Sequence, residues 1–553
     1  MVHLHVHTKY SLLDATIKIE ELAEKLKSIG QNAIAITDHG NLYGAVEAYK
    51  VLSDNGIKTI TGCEMYICDD VNIQNKDSKY YHLILLCKNN QGRLNLNHLV
   101  TESCNYKYYG KPRIDFSMLE KYHDGLICSS ACMAGEISRA ISDNDVDTAR
   151  QIAKKYRNLF GEDFYIEYQS HENEEQQKLN AKLIQLANEL NIKYYVTCDA
   201  HYLNKEDQKY HSVFVRIGSM REAGETYDDC YIQSEQEILE KCYLTTKYNE
   251  EAIRVTEEIA AKCENTIPLS APILPHVPIP EQFSTEEDYF KYLCNKGFKE
   301  KGFADWNLDQ WKQYYTETVE IDGEQVTRQL AEFTSAKEIR DRYIDRCRYE
   351  MNAIVKMGFV GYYLLVHSYV TCVNRRGIAR GSGGGSLLAY LSGIVDIDPI
   401  KYGLYFERFV DVGALSLLEN GQITKKELKI PDFDTDFAPS ERDIAVEFVS
   451  KRYGSENFVA IGQFGYIKAK GAIKDIGKVL GIPFEVTNTM TKTLDNETTI
   501  QDALDLGLLD AYKSDYPELF VYASHLAGLP KSFGVHPCGK IICMNPAVTY
   551  NAV

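Results

Sequence analysis

A chain of 553 residues, 44% hydrophobic and 25% charged, is long enough for several domains and has the composition of an ordinary globular protein. Its formal net charge of −18 argues against broad, non-specific coating of nucleic acid, though not against a local basic groove. No long apolar run suits a membrane span, no signal sequence precedes His3, and the fifteen cysteines show no C-x-x-C pair, so a cytoplasmic protein without a disulfide framework is expected.

Residues 1 to about 265 alternate short apolar runs with helical patterns. Strands are predicted at 2–8, 33–37, 59–67, 82–87, 125–129, 164–168 and 193–198. Amphipathic helices lie between them, such as 17–29 closed by Gly30 and 146–160 closed by Gly161. Repeated units of this kind predict an α/β fold with a parallel sheet, and seven of them favour a closed barrel.

The metal-competent residues fall on the ends of those strands. His5 and His7 share a face at the end of the first, Asp38 and His39 follow the second, and Glu64 lies in the third. Cys132 sits after the fifth, while Asp199 and His201 close the seventh. His82 fits less well, because it opens its apolar run instead of ending it. A lone histidine is usually a core or surface imidazole, but so many ligands gathered at strand ends point to a site. Imidazole, carboxylate and thiolate together suit Zn²⁺, Mn²⁺ or Fe²⁺. A multi-metal site of this kind activates water and clamps a phosphate ester.

Pro268, Pro272, Pro275, Pro278 and Pro280 then mark a boundary or linker. Helical segments follow to about residue 373, with a polar patch at 317–329 that reads as a surface insertion. Next comes Arg380-Gly381-Ser382-Gly383-Gly384-Gly385-Ser386 before an apolar helix, a form suited to phosphates: glycines expose N–H groups, and a helix start favours anions. About fifty residues later, Asp432, Asp434 and Asp436 alternate with Phe433, Thr435 and Phe437, which on a strand puts the carboxylates on one face. Such a face is either a solvated edge or a Mg²⁺ site, and a phosphate cradle upstream favours Mg²⁺. Lys470, Lys474 and Lys478 line one helix face, which a solvated surface explains as often as phosphate contact does. Residues beyond 470 read as mostly helical, with a last strand-like stretch at 540–543 and no internal repeat.

His3-Leu4-His5-Val6-His7 with Asp14, Thr37-Asp38-His39-Gly40 and Cys198-Asp199-Ala200-His201 resemble the polymerase-and-histidinol-phosphatase (PHP) domain. The Gly/Ser loop and Pro431–Phe437 resemble the palm of the C-family bacterial replicative polymerases, the DNA polymerase III α subunits, and the motifs keep that family's order along nearly the whole chain. The resemblance implies a PHP β/α barrel of about seven units over 1–265, a linker at 266–285, and a polymerase β-like nucleotidyltransferase palm over 286–470. It further implies an inserted helical thumb at 471–525 and a truncated return to the palm at 526–553.

Nine positions match PHP metal ligands: His5, His7, Asp14, His39, Glu64, His82, Cys132, Asp199 and His201. All carry competent residues, which implies a 3′→5′ proofreading exonuclease. Asp432 and Asp434 match the first two palm aspartates, while Asp436 matches a position not usually counted as a ligand. Arg380, Gly381, Ser382 and Ser386 match the loop that receives the nucleotide's phosphates. The implied substrates are primer–template DNA and deoxynucleoside triphosphates, with Mg²⁺ at the palm. The family's third carboxylate, in a later strand, has no match, since no Asp or Glu follows Glu518. The fingers are also missing. These departures imply a second polypeptide that supplies both and contacts any sliding clamp. A stand-alone PHP phosphoesterase with an inactive palm, or a non-catalytic scaffold, are the alternatives.

Overall fold

The computed structural model describes residues 1–75, 78–219, 227–269 and 274–553. The chain divides into two compact units. The first comprises Met1–Pro268, Ala460–Gly539 and Ala547–Val553; the second comprises Leu269–Val459 and Lys540–Pro546.

In the first unit, a seven-stranded sheet runs in the order β1 (Ala33–Ile36), β2 (Lys58–Ile67), β3 (Tyr81–Cys87), β5 (Leu126–Ser129), β6 (Phe164–Gln169), β7 (Tyr194–Thr197), with the short β4 (Arg113–Ile114) paired to β2. The segment predicted as the first strand joins the two edges. Ala35 N donates to His3 O and Thr37 N to Val6 O on one side, and His7 N donates to Ala200 O on the other.

The sheet is mixed, not all parallel: β3 runs antiparallel to both β2 and β5. No helix among the described residues separates β2 from β3, and without a crossover element the chain turns straight back. That reversal accounts for His82. The start of an antiparallel strand lies at the same end of the sheet as the finish of its parallel neighbours, so His82 faces the other metal-competent side chains from its opening position.

Helix placement follows local chemistry. Val146–Phe160 starts on the Asp145 side chain, which accepts from Thr148 N, and stops at Gly161 with φ 59°. Residues 460–539, which take in the end of the expected palm, the thumb expected at 471–525 and the start of the palm return, fall in the same compact unit as Met1–Pro268. Val213 and Phe214 of the helix Gln208–Ser219 share one apolar core with Ile473, Ile476, Leu519 and Ala523.

In the second unit, helices Glu286–Glu300, Ala336–Met357, Val360–Val370 and Pro439–Tyr453 surround a core containing Phe290, Tyr343, Ile354, Leu388 and Phe433. The polar patch is a hairpin of β8 (Thr316–Ile321) and β9 (Glu324–Gln329). The proline-rich stretch is no free spacer at its described ends. Ile267 and Val277 are buried, and Val277 N donates to Glu286 Oε1 at 3.1 Å; Pro272 lies outside the described residues. Two further strands, β10 (Phe458–Tyr466) and β11 (Pro530–Ile542), pair with each other. Among the described residues, no single helix is long and apolar enough to cross a membrane.

Candidate metal centre and acidic segment

The nine residues singled out in the first unit converge. His5 Nε2 lies 3.2 Å from Glu64 Oε1, 3.1 Å from Asp199 Oδ1 and 3.1 Å from His7 Nε2. His39 reaches Glu64 Oε2 through Nδ1 and Asp14 Oδ2 through Nε2, both at 2.8 Å. His82 Nδ1 stands 3.0 Å from Glu64 Oε1 and 3.4 Å from Cys132 Sγ. His201 closes the ring, with Nε2 3.7 Å from Asp14 Oδ2 and Nδ1 3.6 Å from Asp199 Oδ1. Three overlapping triads therefore present donors within 4.8 Å of one another: His7, His39 and His201; His5, His7 and Asp199; His39, Glu64 and His82.

This donor set fits divalent metals. Its imidazoles and carboxylates aim at common points, with donor atoms of His7, His39 and His201, of His5, His7 and Asp199, and of His39, Glu64 and His82 gathered within 4.8 Å of one another. The electrostatics agree. Burial alone would lower His39, but Glu64 and Asp14 beside it overcome that and raise it to about 10. Burial opposes ionisation of Asp14, yet His201 and His39 hold its carboxyl well below the usual carboxylate range. Burial, reinforced by Glu64 and Asp199, pushes the Cys132 thiol up.

Backbone strain clusters here. Leu13 (φ 59°), Ala131 (φ 57°) and Asp199 (φ 47°) occupy the left-handed region, each at or directly before a candidate ligand. Non-glycine residues pay about 1–2 kcal/mol there and persist only where packing over-determines them.

A supporting layer escaped the sequence reading. Glu167 accepts from His5 Nδ1 at 2.7 Å and also takes Thr197, Ser129 and Tyr195 hydroxyls. Ser11 Oγ meets His7 Nδ1 at 3.0 Å, Gln169 Nε2 donates to Asp199 Oδ2, and the Tyr227 hydroxyl donates to Asp14 Oδ1. Partners on the far ring nitrogen fix which nitrogen is free for a metal. A lone carboxylate inside the apolar run Phe164-Tyr165-Ile166-Glu167-Tyr168 was the available signal for Glu167. Asp38, grouped above with the metal-competent residues, turns away: it accepts from Thr8 N, Thr8 Oγ1 and Ser11 Oγ and so holds the turn that carries Asp14.

In the second unit, the acidic segment and the Gly/Ser loop run side by side. Gly377 N donates to Asp436 O at 2.8 Å, and Arg380 Nη1 pairs with Asp436 Oδ1 at 2.9 Å. Asp432, Asp434 and Asp436 are exposed and Phe433 is buried, the predicted alternation. The segment belongs to no sheet, however; its single bridge joins Phe437 to Arg376. Among the described residues, the three-ligand clusters all lie in the first unit, and none includes Asp432 or Asp434.

The helix after the Gly/Ser loop does not offer its start to a phosphate. Leu387–Leu391 is a five-residue helix whose first N–H groups are already taken. The buried Glu350 carboxylate accepts from Leu387 N at 2.9 Å, Leu388 N at 3.0 Å and Ser386 Oγ at 2.9 Å, and pairs with Arg346 at 2.6 Å. Ser386 is therefore a buried cap that serves its own helix, with Ala389 N donating to its Oγ. Gly381 and Ser382 stay exposed beside the acidic segment. Lys470 and Lys474 reach Asn496 and Asn488 at 3.2 and 3.1 Å and are half-buried, while Lys478 is exposed.

Two family models match the chain: the PHP domain over residues 3–171, and the bacterial DNA polymerase III alpha NTPase domain over residues 320–553. Among its relatives, the DNA polymerase III subunit alpha of Treponema pallidum is 34% identical over 98% of this chain, and that of Borreliella burgdorferi 34% over 99%. The Thermus aquaticus counterpart is 31% identical over 98%. The chain spans 44%, 45% and 47% of these relatives' own lengths.

Proposed function

Because the chain belongs to the family of bacterial DNA polymerase III α subunits, we propose that it is a component of a replicative DNA polymerase with its own 3′→5′ exonuclease. The convergence of nine metal-competent side chains in the PHP domain carries the exonuclease reading. His5, His7, Asp14, His39, Glu64, His82, Cys132, Asp199 and His201 would hold the metals, Zn²⁺ or Mn²⁺/Fe²⁺ by donor chemistry. Metals bound there would supply a water of lowered pKa and a clamp on the scissile phosphodiester. Glu167 and Ser11 orient His5 and His7, and the buried walls exclude bulk water from the reacting phosphate.

For polymerisation, Asp432 and Asp434 are the proposed Mg²⁺ ligands. Arg380, Gly381 and Ser382 are the proposed contacts for the phosphates of a deoxynucleoside triphosphate paired to primer–template DNA. Ser386 is left out because it is buried. The relatives are about twice as long as this chain, which supports further sequence, proposed as a second polypeptide, that brings the third aspartate, the fingers and any sliding-clamp contact. The work would take place in the cytoplasm of a bacterium or a phage-infected host.

Asp199→Asn combined with His201→Asn should abolish metal-dependent trimming of a mismatched primer end, and undiminished trimming would reject the exonuclease assignment. Primer extension should be absent with this chain alone and appear with the complementing polypeptide. Extension by the chain alone would overturn the split-site reading.

A further inference from the structure

Asp and Glu supply 79 of 553 residues, yet none occurs over 457–474 or 519–553, stretches that hold Lys468, Lys470, Lys474, Lys531 and Lys540. These stretches form β10 and β11, which carry aromatic rings onto the rim of the metal centre. Phe464 meets Tyr10 at 5.2 Å, Tyr43 at 5.3 Å and Phe533 at 5.2 Å between centroids. Phe533 stacks on Tyr43 at 4.4 Å with 24° between planes, and Tyr466 continues the row 6.4 Å from Phe464. Gly462 makes this possible, since a side chain there would collide with the Phe533 ring.

The row starts at the ligand loops themselves. Tyr10 lies between His7 and Asp14 and Tyr43 follows His39, while Asn41 Nδ2 ties both loops by donating to Tyr10 O and His39 O. A purely structural cluster would bury its rings. Here Tyr43 is 37%, Phe533 42% and Tyr466 51% exposed.

We propose that Tyr43, Phe533 and Tyr466 form a stacking platform for the bases of single-stranded nucleic acid whose 3′ end enters the metal centre. The proposal rests on the exonuclease reading and adds its substrate form and a binding subsite. Flat, half-exposed rings accept any base, and the two strands that carry Phe533 and Tyr466 add no carboxylate to repel a phosphate backbone, while Glu47 beside Tyr10 is paired with Lys9 at 2.7 Å. The nearby Asp475 is already neutralised by Lys531 at 2.6 Å. A duplex keeps its base faces covered and cannot stack this way.

The test measures anisotropy of a labelled oligothymidylate of about twelve nucleotides on the full chain. Phe533→Leu and Tyr466→Leu keep apolar volume but remove the flat face, and each should weaken binding about tenfold. Phe533→Tyr should bind as wild type, and a duplex of equal length should compete at least about tenfold less well. Undiminished affinity in the double leucine variant, equal binding of the duplex, or no binding by wild type would each overturn the platform. The Asp199→Asn, His201→Asn variant separates the two readings, because it should lose trimming and keep oligonucleotide affinity. Wild-type chain that binds through these rings without ever trimming would sink the exonuclease and leave the platform standing.

Discussion

Glu350→Ala removes the carboxylate that seats the Gly/Ser loop, and its cost follows from the contacts. The side chain is fully buried, accepts from two backbone N–H groups and one hydroxyl, and pairs with Arg346. Hydrogen bonds to a charged group contribute about 1.5–3 kcal/mol each, and breaking a buried pair costs about 3–5 kcal/mol. Arg346 retains Gly385 O at 2.9 Å and Leu404 O at 3.4 Å, which places the expected loss near 3 kcal/mol by the same rule. Glu350→Gln keeps an acceptor for the amides and should cost about half as much. Both tryptophans, Trp306 and Trp311, lie in the second unit, so urea unfolding followed by tryptophan fluorescence reports that unit selectively. Burial raises the Glu350 carboxyl above its ordinary value, so the folded unit takes up a proton that the unfolded chain has released. Its stabilising share is thus complete below the ordinary carboxylate pKa and declines as pH rises through the raised one, a slope that Glu350→Gln should abolish. A loss below about 1 kcal/mol for Glu350→Ala would refute the capping argument.

Chelation should lower the melting temperature of the first unit, with Zn²⁺ or Mn²⁺ restoring it. Metal at a hundredfold over its Kd is worth about 2.7 kcal/mol, and a melt unmoved by metal would count against the site. Gly297 approaches the Leu391 carbonyl so closely that Gly297→Ala should drive the helices Glu286–Glu300 and Leu387–Leu391 apart, at about 1–3 kcal/mol in the tryptophan assay. Ala131→Gly relieves a left-handed residue beside Cys132 and should be stabilising by about 1 kcal/mol in thermal melts. A clear loss there would mean that the Ala131 methyl packing outweighs the strain.

The metal-competent residues along 1–265, the alternation of Asp432 to Asp436 and the boundaries of the helix Val146–Phe160 were all legible in the sequence. Each depends on local rules: side-chain periodicity, capping residues and which residue types can hold a metal. Other features required the assembled chain. The reversal of β3 brings His82 to the end of the sheet where the other metal-competent side chains lie, and it depends on how one strand pairs with two neighbours. Glu350 claims a helix start 36 residues away in sequence, a contact its own helix gives no sign of. Glu167 serves His5 across 162 residues. Residue chemistry is local and survives in the sequence as pattern. Which group satisfies a buried nitrogen or helix end is settled by tertiary packing, where the lowest-cost partner is whichever the fold brings within reach.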